Sequence, residues 1–282
     1  MNLILQSIAA DRAALDRIAT MADAERVSAL GPHALRCKGV AFSEALKTRL
    51  ETACLAAKID YAFVDADQRL HDFKLLAMDM DSTLITIECI DEIADMHGLK
   101  PQVAAITEAA MRGEIAFNES LTQRVALLKG LDADALLRVY DERLQLSPGA
   151  EAMLVAVKAA GLKTLLVSGG FTFFTDRIKT RLGLDYSHAN RLDIVDGKLT
   201  GRVLGDIVNA EEKCATVQRT CAALGISPAD AIVIGDGAND LAMMGIAGLS
   251  VAFRAKPIVR VKADVALNFV GLDGISNWFD PS

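Results

Sequence analysis

Four short apolar runs without alternation constrain the fold more than any other feature of this sequence. All four begin at or after Phe73, and they read FKLLAMD, KTLLVSGG, AIVIGDG and LSVAF. A strand with one solvated face alternates polar and apolar residues, whereas a strand covered on both faces is apolar throughout. Segments of helical character, such as GAEAMLVAVKAAG and EEKCATVQRTCAALG, lie between the runs. The pattern therefore predicts an α/β domain whose parallel sheet is covered by helices on both faces.

Two insertions interrupt this pattern. The first covers about residues 86–147 and contains four helical segments: IDEIADMHG, PQVAAITEAAMRG, AFNESLTQRVALLKG and DADALLRVYDERL. A parallel crossover needs only about a dozen residues, so an insertion of this length predicts a separate helical cap. The second insertion, SHANRLDIVDGKLTGRVLG, places Asp-Gly between two β-type segments and predicts a hairpin.

Residues 1–70 form a block with a different pattern, and we expect a domain boundary between this block and residues 71–282. Its successive segments are NLILQS, DRAALDRIATMA, SALGPHALRCKGVAF, SEALKTRLETACLAAK and DYAFVDA. The order strand, helix, one or two strands, helix, strand predicts a small α+β domain of ferredoxin-like type. Ser43 is the expected N-cap of its second helix.

Charge and cysteine content limit the partners and the compartment. The formal net charge of −7 argues against nucleic acid or an anionic membrane as the main partner, because phosphate backbones attract clustered Lys and Arg. The five cysteines form no CxxC pair, which favours a reducing cytoplasm over a disulfide framework. No stretch approaches the roughly 18 apolar residues of a spanning helix, and the first residues do not read as a signal peptide. We expect a cytoplasmic protein that acts on a small molecule.

Acidic residues follow two of the apolar runs, at the sheet edge where α/β proteins bind ligands. Asp79 and Asp81 point to the same side if their strand continues that far. Neighbouring carboxylates repel each other, so a cation or a proton must accompany them, and Mg²⁺ suits such oxygen ligands. Asp236 and Asp240 follow the third run and supply further ligands. For the DxD pattern alone, an acidic turn without a metal is an equal alternative.

A possible anion site follows the run LLVSGG. Its serine, Ser168, and the N–H groups of the glycine turn form a cradle for an anion. Lys213 adds a positive charge at the start of a helix, although a lone lysine there is typically a solvated surface residue. With the carboxylates, these groups predict a phosphate site. The sequence has no GxxxxGK[ST] loop and offers no Ser-His or Cys-His alternative, so a carboxylate is the natural nucleophile, through an aspartyl-phosphate.

Taken as a set, DMDST, VSGG, EEK and GDGAND resemble the four motifs of the haloacid dehalogenase (HAD) superfamily of phosphotransferases. The resemblance covers about residues 73–270 in order and spacing, and it implies a Rossmann-like parallel sheet with a helical cap. The segments DSTLITIECIDEIA and MRGEIAFNESLTQRVALLKG further resemble the members that hydrolyse phosphoserine. The N-terminal block resembles the ACT-like domains of some relatives.

The resemblance also implies roles for individual residues. Asp79 matches the nucleophile and Asp81 the general acid/base. The implied Mg²⁺ ligands are Asp79, Asp81 through its main-chain carbonyl, and Asp236, with Asp240 in a supporting position. The implied phosphate contacts are Ser168, Gly169, Lys213 and Asn239.

The remaining matched residues surround the amino-acid part of the substrate. Glu88 and Arg124 match the pair that holds it, and an acid and a base suit the ammonium and carboxylate of phosphoserine. Met111 and Phe117 match the apolar cap residues that close over it. Taken without the family, Glu88 is better explained as a helix N-terminal acid, Arg124 as a solvated helix residue, and the apolar pair as core.

The function implied by these residues is Mg²⁺-dependent hydrolysis of O-phosphoserine, the last step of serine biosynthesis. Two alternatives stay open: a phosphotransferase that uses another alcohol as acceptor, and a non-catalytic regulatory protein that senses amino acids through its N-terminal domain. Amino-acid-binding ACT domains usually have a glycine in the first strand-helix loop, and here the loop QSIAADR has none. Packing or homodimerisation is therefore the alternative role of that domain.

Overall fold

The computed structural model describes residues 1–9 and 12–280. Its strands are β1 (Asn2–Ser7), β2 (Arg26–Gly31), β3 (Ala34–Lys38), β4 (Ile59–Val64), β5 (Leu75–Met78), β6 (Lys163–Phe171), β7 (Tyr186–Val195), β8 (Lys198–Leu204), β9 (Ala231–Gly235), β10 (Leu249–Phe253) and β11 (Val265–Leu267). Its α-helices are α1 (Arg12–Thr20), α2 (Glu44–Ala57), α3 (Cys89–Met96), α4 (Lys100–Met111), α5 (Phe117–Ala126), α6 (Asp134–Glu142), α7 (Ala150–Ala159), α8 (Thr172–Leu182), α9 (Ala210–Leu224), α10 (Leu241–Met244) and α11 (Pro257–Lys262). In the described part of the chain, no helix has the length and apolar character needed to cross a membrane.

The chain divides into two compact units. The first consists of Met1–Leu76, Pro148–Lys163 and Ile226–Ser282, and the second of Ala77–Ser147 and Thr164–Gly225. The predicted domain boundary near residue 70 stays a prediction.

The N-terminal part of the first unit is a four-stranded antiparallel sheet with the strand order β2-β3-β1-β4. Together with α1 and α2 it has the predicted β-α-β-β-α-β order. The central strand β1 is buried along its whole length, and its apolar residues pack with those of the two helices. The side chain of Ser43 accepts a hydrogen bond from the Leu46 N–H, which confirms the predicted cap of α2. Asp11, where the first helix was predicted to begin, lies outside the described residues.

Two buried charged side chains attach this N-terminal sheet to the last part of the same unit. The carboxylate of Asp60, which is 1% exposed, accepts hydrogen bonds from three successive backbone N–H groups, those of residues 268–270. Arg36 donates to the carbonyl oxygens of Asn277 and Phe279 at 2.9 and 2.7 Å. Because a buried charge is stable only when it is paired or hydrogen-bonded, both side chains depend on these contacts.

The second unit contains the long insertion and the predicted hairpin. The insertion forms four helices, α3 to α6, as its pattern predicts. Strands β7 and β8 pair antiparallel, and Asp196 and Gly197 between them have φ angles of 49° and 74°. Only residues that tolerate positive φ fit such a two-residue turn, which explains the Asp-Gly signal.

The four apolar runs of the sequence form strands β5, β6, β9 and β10 of the parallel sheet. The pairs β9-β10, β10-β11 and β6-β7 are parallel, and β8 is an antiparallel edge strand. Strands β5, β9 and β10 are buried at every residue. This burial confirms the predicted α/β fold with a sheet covered on both faces, and it explains why these strands are apolar without alternation.

Candidate active site

The two aspartates of the DxD motif follow strand β5 directly. The strand ends at Met78, and the chain turns so tightly that Ser82 has a left-handed φ of 56°. The condition that the strand continues to Asp81 is therefore wrong, and alternation along a strand does not explain how the two carboxylates are placed. Their positions depend instead on this turn, in which the Ile85 N–H donates to the Met80 carbonyl oxygen.

Asp79 is held between a backbone group and a buried lysine. Its Oδ1 accepts a hydrogen bond from the Met80 N–H at 2.7 Å, and its Oδ2 lies 2.8 Å from Lys213 Nζ. Lys213 is 0% exposed, so it is not the solvated surface residue that a lone lysine at a helix start suggests. A buried ammonium group is costly without an opposite charge, and Asp79 supplies that charge.

The first turn of α9 gives Lys213 its position. Asn209 is the N-cap of this helix, and its Oδ1 accepts a hydrogen bond from the Glu212 N–H at 3.0 Å. Asn is among the most favourable N-cap residues because its side chain satisfies a backbone N–H that the helix leaves unpaired. Lys213 follows Glu212 directly, so the cap fixes the backbone from which its side chain extends to Asp79.

The carboxyl group of Asp81 lies against the start of helix α3. Its Oδ1 accepts a hydrogen bond from the N–H of Cys89, the first residue of that helix, at 3.2 Å. Burial of the carboxyl group raises its pKa to about 7, and the negative charge of Glu88 adds to this increase. Another part of the residue is solvent-accessible. The Cys89 hydrogen bond and Lys213 act in the opposite direction. The protonated form of Asp81 is therefore favoured more than that of a solvated aspartate.

The glycine turn after Ser168 fits closely against Asp81. The Gly170 N–H donates to Ser168 Oγ at 2.8 Å, and Ser168 is 1% exposed. A Cβ atom on Gly170 would lie only 2.6 Å from Asp81 Oδ2. Glycine leaves room here for the acid, and any side chain at this position would force its neighbours to move.

Glu88 and Arg124 lie in the same electrostatic neighbourhood. Glu88 Oε1 accepts a hydrogen bond from Ser82 Oγ at 2.7 Å. Burial lowers the pKa of Arg124, and the charges of Asp91, Glu88 and Asp81 partly offset this effect. The pKa of a solvated helix residue would not be influenced by three acids in this way. The structure therefore does not support the alternative that Arg124 is a solvated surface residue. The sequence alone does not identify Ser82 as a site residue, because its connection to the site is its hydrogen bond to Glu88.

The two apolar cap residues have different environments. Phe117 begins helix α5 and is partly buried, and its Cζ would lie 3.2 Å from a Cβ atom on Gly169. Its ring therefore contacts the glycine turn. Met111 ends helix α4 and is 69% exposed, so it is not a core residue.

The GDGAND segment forms a compact turn after strand β9. The Oδ2 atom of Asp240 accepts hydrogen bonds from the N–H groups of Asp236 and Gly237 at 3.1 and 3.0 Å. Asp240 is 0% exposed, while Asp236 and Asn239 are partly exposed. The turn thus presents Asp236 at the surface of its own unit, with Asp240 buried beneath it.

Three acidic residues are candidates for holding a metal ion. Asp79 follows strand β5 in the second unit, whereas Asp236 and Asp240 belong to the turn after strand β9 in the first unit. Carboxylate oxygens suit a hard divalent cation. The binding of a metal by Asp79, Asp236 and the main-chain carbonyl of Asp81, with Asp240 in a supporting position, stays a prediction.

The chain is similar to several known proteins. The model of the haloacid dehalogenase-like hydrolase family matches residues 76–245. The chain is 62% identical over 212 residues to the phosphoserine phosphatase of Polaromonas sp. strain JS666, a match that covers 73% of this chain and 90% of that protein. It is also similar to the crystal structure of a HAD family hydrolase from Salmonella enterica serovar Typhi, with a TM-score of 0.89, 32% identity, and coverage of 100% of this chain and 98% of that one.

A third similarity concerns a ligand complex. A structure described as a substrate-bound phosphoserine phosphatase complex has 40% identity and a TM-score of 0.69, and the match covers 74% of this chain and 99% of that one. Fold and site together define a phosphotransfer enzyme of the α/β class with a helical insertion. The chain belongs to the haloacid dehalogenase-like hydrolase family.

Proposed function

We propose that this chain hydrolyses O-phosphoserine to serine and inorganic phosphate through an aspartyl-phosphate intermediate on Asp79. The observation that carries the proposal is the contact between Asp79 and the buried Lys213, beside an acid whose pKa is raised to about 7. The similarity to curated phosphoserine phosphatases supports the choice of substrate. Serine biosynthesis is the process that such a reaction completes.

In the first step, a carboxylate oxygen of Asp79 attacks phosphorus, and the bond between phosphorus and the serine oxygen breaks. Asp81 in its protonated form donates its proton to the leaving serine oxygen. Lys213 offsets the charge that accumulates where the phosphoryl group meets Asp79, since its Nζ already lies 2.8 Å from the nucleophile. The products are free serine and a phosphoryl group bound to Asp79.

In the second step, Asp81 accepts a proton from a water molecule that attacks the same phosphorus atom. The bond between phosphorus and Asp79 breaks, phosphate leaves, and the nucleophile is regenerated. One residue can serve as acid and then as base because its pKa, about 7, is close to neutral pH. The role of Asp81 thus depends on its burial and on the nearby charge of Glu88.

The phosphate contacts and the metal site complete the proposal. The groups that bind phosphate are the Ser168 hydroxyl, the Gly169 N–H, the Lys213 ammonium and the Asn239 side chain. Mg²⁺ would be held by Asp79, the Asp81 carbonyl and Asp236, with Asp240 in support, since carboxylate and carbonyl oxygens are the ligands that this ion prefers. When bound, Mg²⁺ would neutralise charge on the phosphate oxygens.

We propose that residues of the second unit recognise the amino-acid part of the substrate. Arg124 binds the serine carboxylate and Glu88 binds the ammonium group, with Met111 and Phe117 closing over both. The high exposure of Met111, 69%, supports a residue that is available to cover a ligand. Arg suits a carboxylate because its planar guanidinium can donate two parallel hydrogen bonds.

We propose two domains, an ACT-like domain of residues 1–70 and a phosphatase domain of residues 71–282 with its cap at about residues 86–147. The match to the Polaromonas protein covers only 212 of the 282 residues of this chain, which supports an additional domain. Exposed apolar residues of the N-terminal sheet and its loops, such as Val27 and Phe42, support homodimerisation through this domain. Light scattering on the full chain measures its mass in solution and tests the dimer.

We also place the protein in the cytoplasm. All five cysteines are thiols rather than disulfide partners, and burial raises the pKa of Cys37 to about 11 and that of Cys54 to about 12. Such thiols are poor nucleophiles. The free state of the cysteines supports a reducing compartment, and fractionation of cells that express a tagged chain tests the location.

The experiment that tests the activity is phosphate release from a panel of phosphomonoesters, with and without added Mg²⁺ after treatment with a chelator. We expect phosphoserine to be the preferred substrate and release to require the metal. Phosphorylation of an added alcohol in place of phosphate release would identify a phosphotransferase. Serine binding without any turnover would identify a regulatory protein.

A further inference from the structure

Strand β6 contains an irregularity at the glycine turn. Ser168 lies opposite Ala189 of strand β7, and the next pair is Phe171 opposite Asn190. Gly169 and Gly170 are therefore two additional residues on β6 for which β7 provides no backbone partner. Such a bulge redirects the chain and interrupts the regular ladder of backbone hydrogen bonds.

The side chain of Asn190 provides a hydrogen bond where the ladder is interrupted. Its Nδ2 donates to the Gly169 carbonyl oxygen at 2.7 Å, and its Oδ1 accepts from the Val208 N–H at 2.9 Å. Asn190 is 1% exposed. A buried amide that has both a donor and an acceptor satisfied is held rigidly, because losing either bond would leave a polar group unpaired.

The two groups that Asn190 joins belong to the two segments that carry the phosphate contacts. Gly169 lies in the glycine turn after Ser168. Val208 directly precedes Asn209, the N-cap of helix α9, which presents Lys213 to Asp79. The segments also touch each other, since a Cβ atom on Gly169 would lie 3.5 Å from the Val208 carbonyl oxygen.

We propose that Asn190 is a positioning residue that sets the distance between the glycine turn and Lys213, and so shapes the cradle that receives the phosphoryl group. Asn190 acts through other residues and does not itself contact the substrate. The proposal rests on the phosphate-contact roles of Ser168, Gly169 and Lys213 given above. It concerns the phosphoryl group and not the amino-acid part of the substrate.

The test is the variant Asn190→Asp, measured with phosphoserine and with p-nitrophenyl phosphate. The new carboxylate keeps the size of the side chain and can still accept from the Val208 N–H, but it repels the Gly169 carbonyl oxygen. We expect kcat/KM to fall about 10- to 100-fold for both substrates, the effect of one buried hydrogen bond left unmade. Inhibition by inorganic phosphate should weaken as well, because phosphate uses the same cradle. Asn190→Ser, which keeps a small donor and acceptor, should lose less.

Thr164→Val is the matched control. Thr164 lies near the other end of strand β6, is 0% exposed, and its N–H and Oγ1 both donate to Asp185 Oδ2 at 2.9 Å. This variant should lower thermal stability while leaving kcat/KM and phosphate inhibition close to the wild-type values. Comparing Thr164→Val with Asn190→Asp distinguishes the general effect of losing a buried hydrogen bond from the specific effect of losing one beside the phosphate cradle.

Three results would overturn the proposal. One is a folded Asn190→Asp enzyme with unchanged phosphate inhibition and kcat/KM, and another is an equal loss of activity in Thr164→Val. The third is a failure of both Asn190 variants to fold while Thr164→Val folds, which would assign Asn190 to stability alone. A wild-type chain that releases phosphate from p-nitrophenyl phosphate but not from phosphoserine would contradict the proposed function and leave this test intact.

Discussion

Replacing Gly170 with alanine should displace the general acid while leaving the fold in place. The φ angle of Gly170 is not positive, so the backbone conformation accepts an L-residue and the change tests the contact alone. A Cβ atom there would lie 2.6 Å from Asp81 Oδ2, 2.8 Å from Met80 Cε and 3.0 Å from Ser168 Oγ. Ordinary van der Waals contacts of a Cβ atom begin at 3.4 Å, so one of the neighbours must move by about 0.8 Å.

The size of the effect follows from this displacement. A shift of about 1 Å in a reacting group typically costs about 100-fold in rate, so we expect kcat for phosphoserine to fall about 10- to 100-fold. The binding of the serine carboxylate and ammonium should change little, because neither Arg124 nor Glu88 is among the nearest neighbours of the new methyl group. The loss should therefore appear in kcat more than in KM.

A comparison of leaving groups identifies the step that is affected. The serine oxygen needs a proton in order to leave, whereas p-nitrophenolate leaves without one. With p-nitrophenyl phosphate, Gly170→Ala should give a rapid burst of p-nitrophenol followed by slow turnover, because Asp81 is still needed to activate water. Stopped-flow absorbance measures both phases. Gly245→Ala is a control for adding a methyl group, since Gly245 has a φ of −68° and lies in the other compact unit.

A folded Gly170→Ala enzyme with wild-type kcat for phosphoserine would refute this reasoning. It would mean that Asp81 accommodates the methyl group without losing its function, or that Asp81 is not the general acid. Slow release of p-nitrophenol without a burst would instead locate the damage at the nucleophile or the phosphate cradle. Circular dichroism and thermal melting establish that the variant is folded.

Four further predictions concern single side chains. Asp79→Asn should abolish phosphate release in a protein with a wild-type circular dichroism spectrum, since an amide cannot form the acyl phosphate; near-normal turnover would exclude Asp79 as the nucleophile. Arg124→Ala should lower kcat/KM for phosphoserine by one to two decades, the effect of losing a charged hydrogen bond of about 1.5–3 kcal/mol, and should spare p-nitrophenyl phosphate; equal losses would point to cap closure or folding. Glu88→Gln removes a charge that raises the pKa of Asp81, so the protonated acid should persist only to lower pH, and the alkaline decline of kcat should move to lower pH; an unchanged pH profile would exclude this coupling. Asp60→Ala leaves three backbone N–H groups without their acceptor and should lower the melting temperature while leaving kcat per folded molecule unchanged; a loss of kcat at full folding would give the N-terminal sheet a role in the reaction.

Local pattern was sufficient for most of the secondary structure. The apolar runs, the Asp-Gly turn and the Ser43 cap each depend on interactions between residues close in the chain, and the structure has the corresponding strands, hairpin and capped helix. The motifs DMDST, VSGG, EEK and GDGAND also stand in the sequence in a fixed order, which is why the superfamily could be proposed from them. The roles of Asp79 and Asp81 came from that resemblance, because two aspartates in one turn have the same intrinsic chemistry.

Other properties were decided only by interactions between distant segments. The contact of Lys213 with Asp79 and the two hydrogen bonds of Asn190 join different segments of the chain, and the pKa of Asp81 depends on its burial. Strand alternation even suggested the wrong explanation for the DxD pair, because the strand ends at Met78. Sequence patterns report which backbone conformation a segment prefers. Desolvation and charge pairing, which convert an aspartate into an acid near pH 7, depend on what tertiary packing places around it.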